Sequence, residues 1–120
     1  MSCVAEVMTK EVVTVTPDTP LRHVAKVLAE KKISGVPVVD AGKVVGIVSE
    51  ADILKAGDME KTAGEVMVTD VVSVGPEACV TDAAAIMSDR GIKRLPVLDA
   101  NGNLVGIISR ADVVRAMAAK

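Results

Sequence analysis

The side chains best placed to do chemistry in this chain lie in two matching stretches, Gly46-Ile47-Val48-Ser49-Glu50-Ala51-Asp52 and Gly106-Ile107-Ile108-Ser109-Arg110-Ala111-Asp112. Each sets a serine three residues before an aspartate at the end of an apolar run. A capping box accounts for that spacing by itself: the hydroxyl accepts from a free N–H of a helix's first turn, and the carboxylate complements the helix dipole. The same geometry can serve a ligand. A helix start with a hydroxyl and free N–H groups accepts a phosphate, and an adjacent carboxylate can accept from two ribose hydroxyls. One such motif is a weak signal; two at matching places carry more.

They match because the chain is written twice. Val7 to Leu54 lies over Val66 to Val114 with Asn101 as the one extra residue, and Val7/Val66, Met8/Met67, Pro17/Pro76, Ile33/Ile92, Pro37/Pro96, Gly46/Gly106, Ser49/Ser109 and Asp52/Asp112 are identical pairs. Each copy reads β-α-β-β-α. Val12 to Val15 is a short β-rich run closed by Thr16-Pro17-Asp18-Thr19-Pro20, where a helix should start with Asp18 or Thr19 as cap and Pro20 near its first position. Leu21, Val24, Ala25, Val27 and Leu28 keep the helical period, as do Val80, Ala83, Ala84, Ile86 and Met87. A strand over Val36–Val39, a turn over Asp40–Lys43 and a strand over Val44–Val48 follow, and the second copy turns at Asp99–Asn103 through an Asn-Gly step. A short helix follows Ser49 or Ser109. Pro37 and Pro96 belong at a strand start or edge. Lys55 to Gly64 reads as a linker.

A unit of about sixty residues buries too little surface to be comfortably stable alone. The expected fold is therefore α+β: two tandem β-α-β-β-α repeats, 1–58 and 59–120, packed sheet to sheet about a pseudo-twofold axis, with the cleft between them as the ligand site.

Composition narrows the function. The 120 residues are 50% apolar and 25% charged, with no Phe, Tyr or Trp, so any bound ring must lie between aliphatic walls. A net charge of −2 with Lys and Arg spread along the chain argues against nucleic acid as a partner. No apolar run approaches the length of a membrane span. The N-terminus lacks a signal-peptide pattern, so a cytoplasmic location is expected. Cys3 and Cys79 have no metal-ligand spacing and read as two reduced thiols. The single histidine, His23, sits on a charged helix face between Arg22 and Lys26. With no catalytic set, phosphate loop or metal cluster, the expectation is a protein that is not an enzyme.

The whole chain resembles a CBS-domain pair, the regulatory module first described in cystathionine β-synthase. Carrying the likeness are Val7-Met8 and Val66-Met67, the V-P-V-V-D and L-P-V-L-D strands, and the paired G-I-V-S-E-A-D and G-I-I-S-R-A-D elements. The resemblance implies a flat disc with two symmetry-related clefts, often paired into a homodimer, with AMP, ADP, ATP or S-adenosylmethionine as regulatory ligand. Carried over, Asp112 takes the ribose hydroxyls, Ser109 the ribose or phosphate, and Arg94 with Lys93 the phosphate. Ile107, Ile33, Ser34, Met8, Thr9 and Val13 line the rest. A second, weaker site uses Asp52, Ser49, Ile47, Ile92 and Val72 with Lys93 and Ser34. The asymmetry is expected because Arg94 aligns with Gly35, which cannot replace an arginine–phosphate fork. The ligand then shifts a population that an effector protein reads. The alternative is a ligand-independent dimerisation or adaptor domain in which the serines and aspartates serve only as caps.

Overall fold

The computed structural model describes residues 2–119. Along the chain come α1 (Val4–Val7), α2 (Leu21–Lys31), β1 (Gly35–Asp40), β2 (Lys43–Ser49), α3 (Glu50–Ala56), α4 (Ala63–Val66), α5 (Val80–Arg90), β3 (Arg94–Leu98), β4 (Leu104–Ser109) and α6 (Arg110–Ala118). This is the α+β class expected, with two antiparallel hairpins, β1–β2 and β3–β4.

The hairpins form where alternation and turn chemistry agree. Val36, Val38 and Val48 are fully buried, and the two-residue turn between Asp40 and Lys43 has Ala41 and Gly42 at φ 51° and 82°. Positive φ at both positions matches the twist of the flanking strands. Pro37 and Pro96 lie third in their strands, and their carbonyls accept from Val15 and Val74 at 3.1 Å. Their missing N–H groups thus point to the side where only a single bridged residue runs, an edge as expected. The expected first β run of each repeat is shorter than the sequence suggests. Only Val15 and Val74 bridge β1 and β3, because the prolines at 17 and 76 end the extended run.

Neither Asp18 nor Thr19 caps α2. Pro20 is the N-cap, and Thr19 Oγ1 instead accepts from the Thr16 N–H at 3.1 Å. A side-chain cap is dispensable here because the chain further on supplies backbone acceptors: Leu21 donates to the Lys61 carbonyl at 2.8 Å and Arg22 to that of Met59 at 3.0 Å. The stretch read as a linker is therefore docked chain, and it ends in a helix, α4, whose Ala63 is fully buried. The second copy repeats the device, with Val80 donating to the Ser2 carbonyl at 3.0 Å.

Two compact units result, and their limits differ from those of the sequence repeats. One, here the Asp52 unit, is Val13–Val71; the other, the Asp112 unit, joins the chain up to Val12 with the chain from Val72 onward. Val4 thus packs in the core of the Asp112 unit with Val80, Met87, Leu95, Val97 and Ile108. Ala63 packs in the Asp52 unit with Leu21, Val24, Val36, Val38 and Val48. Each repeat lends its leading arm to the other's core.

Candidate functional site

Both Ser-x-x-Asp motifs fold at the junction of a hairpin's last strand and a short helix. In the Asp52 unit, Ser49 is the N-cap of α3: its N–H and Oγ both donate to Asp52 Oδ2, at 2.8 and 2.9 Å. In the Asp112 unit, Ser109 caps α6, its N–H donating to Asp112 Oδ2 at 3.0 Å and its Oγ accepting from the Asp112 N–H at 3.2 Å. Each helix start is tied back to its hairpin, since the Glu50 N–H donates to the Ser34 carbonyl at 2.9 Å and the Arg110 N–H to the Lys93 carbonyl at 3.0 Å.

The two carboxylates differ in what remains of them. Asp52 is half-buried, and Ser49 engages its Oδ2. Asp112 is 3% exposed, and besides Oδ2 on Ser109 its Oδ1 accepts from the Arg115 guanidinium. Arg115 itself stays largely in solvent, with 69% of its side chain exposed. The sequence reading overlooked this arginine, although an acid and a base three apart on one helix face is a legible signal.

The arms complete each motif. Thr9 exchanges backbone hydrogen bonds with Ile107 at 2.8 and 2.9 Å, and Val68 does the same with Ile47 at 2.9 and 3.0 Å. Beside them the motif glycines make room for methionine. A Cβ at Gly106 would lie 2.5 Å from Met8 Sδ, and one at Gly46 would lie 2.5 Å from Met67 Sδ. The first glycine of the motif is thus fixed by the partner repeat's Val-Met start.

Of the residues expected at the first site, the Asp112 unit holds Asp112, Ser109, Arg94, Lys93, Ile107, Met8 and Thr9, while Ile33, Ser34 and Val13 belong to the Asp52 unit. Arg94 pairs directly with Ser109 across β3–β4, so their side chains share a face. Lys93 and Thr9 are exposed and Met8 and Ile107 half-buried. Of the second set, Asp52, Ser49 and Ile47 lie in the Asp52 unit, and Ile92 and Val72 in the Asp112 unit. Ser34, just before β1, reaches the helix that carries Asp52 through its carbonyl, which accepts from the Glu50 N–H. Gly35 pairs with Ser49 where Arg94 pairs with Ser109.

The family description of the CBS domain matches twice, over residues 4–58 and 63–119. The chain belongs to the CBS-domain family. Among curated relatives, an uncharacterized protein of Methanocaldococcus jannaschii is 42% identical over 118 residues, covering 98% of this chain. The chain spans only 40% of the length of that relative. Among solved CBS structures, CBSX2, known from Arabidopsis thaliana, in complex with AMP superposes with a TM-score of 0.92 at 32% identity, covering 99% of this chain and 98% of that one. The CBS domain pair of protein MJ0100, in complex with 5′-methylthioadenosine and S-adenosyl-L-methionine, gives 0.88 at 30% identity, with 99% and 98% covered.

Proposed function

We propose that this CBS pair is a non-catalytic, regulatory module that binds an adenosine-containing ligand (AMP, ADP, ATP or S-adenosylmethionine). The carrying observation is the duplicated Ser-x-x-Asp motif, folded in both units with its serine and aspartate at a helix start and an arm from the other repeat alongside. Family membership and the ligands of CBSX2 and MJ0100 support it. At the Asp112 motif the carboxylate takes the ribose hydroxyls and Arg94, with Lys93, takes phosphate. Ile107, Met8 and Thr9 flank that ligand; Ile33, Ser34 and Val13 contribute as well. The Asp52 motif, with Ser49, Ile47, Ile92 and Val72, is the weaker nucleotide site because Gly35 offers no cation. The module is cytoplasmic, assembles as a homodimer and passes its state to an effector protein. Apolar side chains support the pairing: Leu54, Val114 and Met117 on α3 and α6 are 82%, 63% and 61% exposed.

Two observations favour the second reading, an adaptor that dimerises without ligand. One is the exposure of those apolar side chains in each unit. The other is the engagement of both Asp112 oxygens. Calorimetric titration with AMP, ADP, ATP, S-adenosylmethionine and 5′-methylthioadenosine, on the wild type and on Asp112→Ala and Asp52→Ala, decides between them. AMP binding lost in Asp112→Ala and kept in Asp52→Ala is the expected result. Silence across the whole panel, with a dimer persisting in sedimentation, would establish the adaptor instead.

A further inference from the structure

Cys3 and Cys79 are far apart in sequence and belong to different repeats, yet they meet in the Asp112 unit as an isolated antiparallel bridge. Its hydrogen bonds run between the flanking residues, Val4 N–H to the Ala78 carbonyl at 2.8 Å and Val80 N–H to the Ser2 carbonyl at 3.0 Å. The cysteines therefore form a non-hydrogen-bonded pair, the arrangement that brings opposed Cα atoms to about 4.5 Å and turns both side chains to one face. That separation falls within the range of about 4.4 to 6.8 Å that a disulfide spans without backbone movement. Both residues have extended backbones, at ψ 156° and 146°. Both thiols are free, with Cys79 exposed and Cys3 half-buried.

The pseudo-symmetric bridge in the Asp52 unit joins Pro20 to Thr62, the residues that align with Cys79 and Cys3. The fold thus makes this bridge without cysteine. We propose that Cys3 and Cys79 form a reversible cross-strand disulfide that staples the N-terminal arm to the Asp112 unit.

Access assigns the order of events. The Cys79 thiolate attacks one sulfur of a low-molecular-weight disulfide such as oxidised glutathione, whose S–S bond breaks and releases one thiolate. Cys3 then gives up its proton, attacks the Cys79 sulfur of the mixed disulfide and expels the second thiolate. The two cysteines lose two electrons and two protons, and the small disulfide becomes two thiols. The Glu6 carboxylate, which hydrogen-bonds the Cys3 thiol and backbone, holds that thiol above its ordinary range and makes Cys3 the resolving residue. The consequence falls on the arm. It carries Val4 in the core and Thr9 on Ile107, so oxidation locks these contacts whether or not a ligand binds.

The test treats the purified chain with oxidised glutathione, then maps peptides without reduction and follows melting. We expect a monomer lighter by two hydrogen atoms, a linked peptide pair holding Cys3 and Cys79, and a melting temperature about 10 °C above the reduced form. Amide exchange at Thr9 should slow on oxidation. Cys79→Ser should fold and show none of these changes. Products carrying only glutathione adducts or intermolecular links would overturn the proposal, as would an oxidation-induced rise in melting temperature that persists in Cys79→Ser.

Discussion

Arg115→Ala should tighten, not weaken, the binding of an adenine nucleotide at the Asp112 motif. Arg115 holds Asp112 Oδ1 while Ser109 N–H holds Oδ2. A ribose that donates to this carboxylate must displace the guanidinium or share the oxygen with it. The guanidinium needs no new site to retreat to, since its side chain is already 69% exposed. An ion pair with a partner so wet contributes about 0.2–1 kcal/mol, and releasing it in advance is worth roughly a 1.4- to 5-fold gain in affinity. Arg94→Ala acts in the opposite sense. A charge-assisted contact to phosphate contributes about 1.5–3 kcal/mol, so AMP should weaken by roughly 10- to 150-fold. 5′-Methylthioadenosine, which has no phosphate, should change by less than about twofold. Calorimetric titration of both ligands against both variants measures all four numbers, with a thermal melt to confirm folding. Two results would refute the reasoning: AMP weakened by Arg115→Ala, which would make Arg115 a ligand contact, or both ligands weakened alike by Arg94→Ala, which would give Arg94 a structural role.

Two stability predictions come from the arms. Gly106→Ala puts a Cβ against Met8 Sδ and 3.0 Å from the Thr9 carbonyl oxygen, which should cost about 1–3 kcal/mol and lower the melting temperature by about 5 °C or more. Adding Met8→Ala should recover part of that loss, with a coupling above about 0.5 kcal/mol in a double-mutant cycle. Glu6 and Glu65 accept from the backbone N–H of Cys3 and Thr62 at 2.8 and 3.0 Å, and these bonds hold both carboxyls below the usual 4.5. Their stabilisation is therefore present above the unfolded-state value and is lost as pH falls through the lower folded values. Urea melts at pH 7 and pH 3 should show Glu6→Gln with Glu65→Gln lowering stability at the higher pH and changing it little at the lower.

The duplication, the hairpins and the capping geometry of Ser49 and Ser109 were all legible in the residues, because local chemistry determines them. Val36, Val38 and Val48 alternate as a buried face must, and Gly42 supplies the positive φ of its turn. The exchange of arms was not legible. Val7-Met8 and Val66-Met67 are identical, and Gly46 and Gly106 offer the same notch, so nothing local says which methionine fills which notch. Chain connection decides it: Met67 follows its notch by one helix and a docked stretch, and Met8 is left with the other. The cap of α2 was missed for a related reason. Side-chain capping rules see only neighbours in sequence, whereas Leu21 and Arg22 find acceptors some forty residues on, at Lys61 and Met59. Burial of Asp112 was hidden too, since capping box and ribose acceptor call for the same two residues.

The exchange also bears on how a sensor of this build would work. A ligand on Asp112 that reaches Ile107 also reaches Thr9, and so touches both repeats inside one compact unit. The arm is held there by backbone pairs at Thr9, Val4 and Ala5, by Met8 in the Gly106 notch and by the buried Val4 side chain, whose burial alone is worth about 1.5–3 kcal/mol. A ligand that favours the docked arm stabilises it in proportion to RT ln(1 + [L]/Kd), about 2.7 kcal/mol at a hundredfold excess over Kd, which is comparable to the side-chain term it reinforces. Occupancy would therefore reinforce the docked arm without any rearrangement of the hairpins. A purely capping role for Ser109 and Asp112 supplies no such differential, because the caps are equally satisfied at every nucleotide concentration.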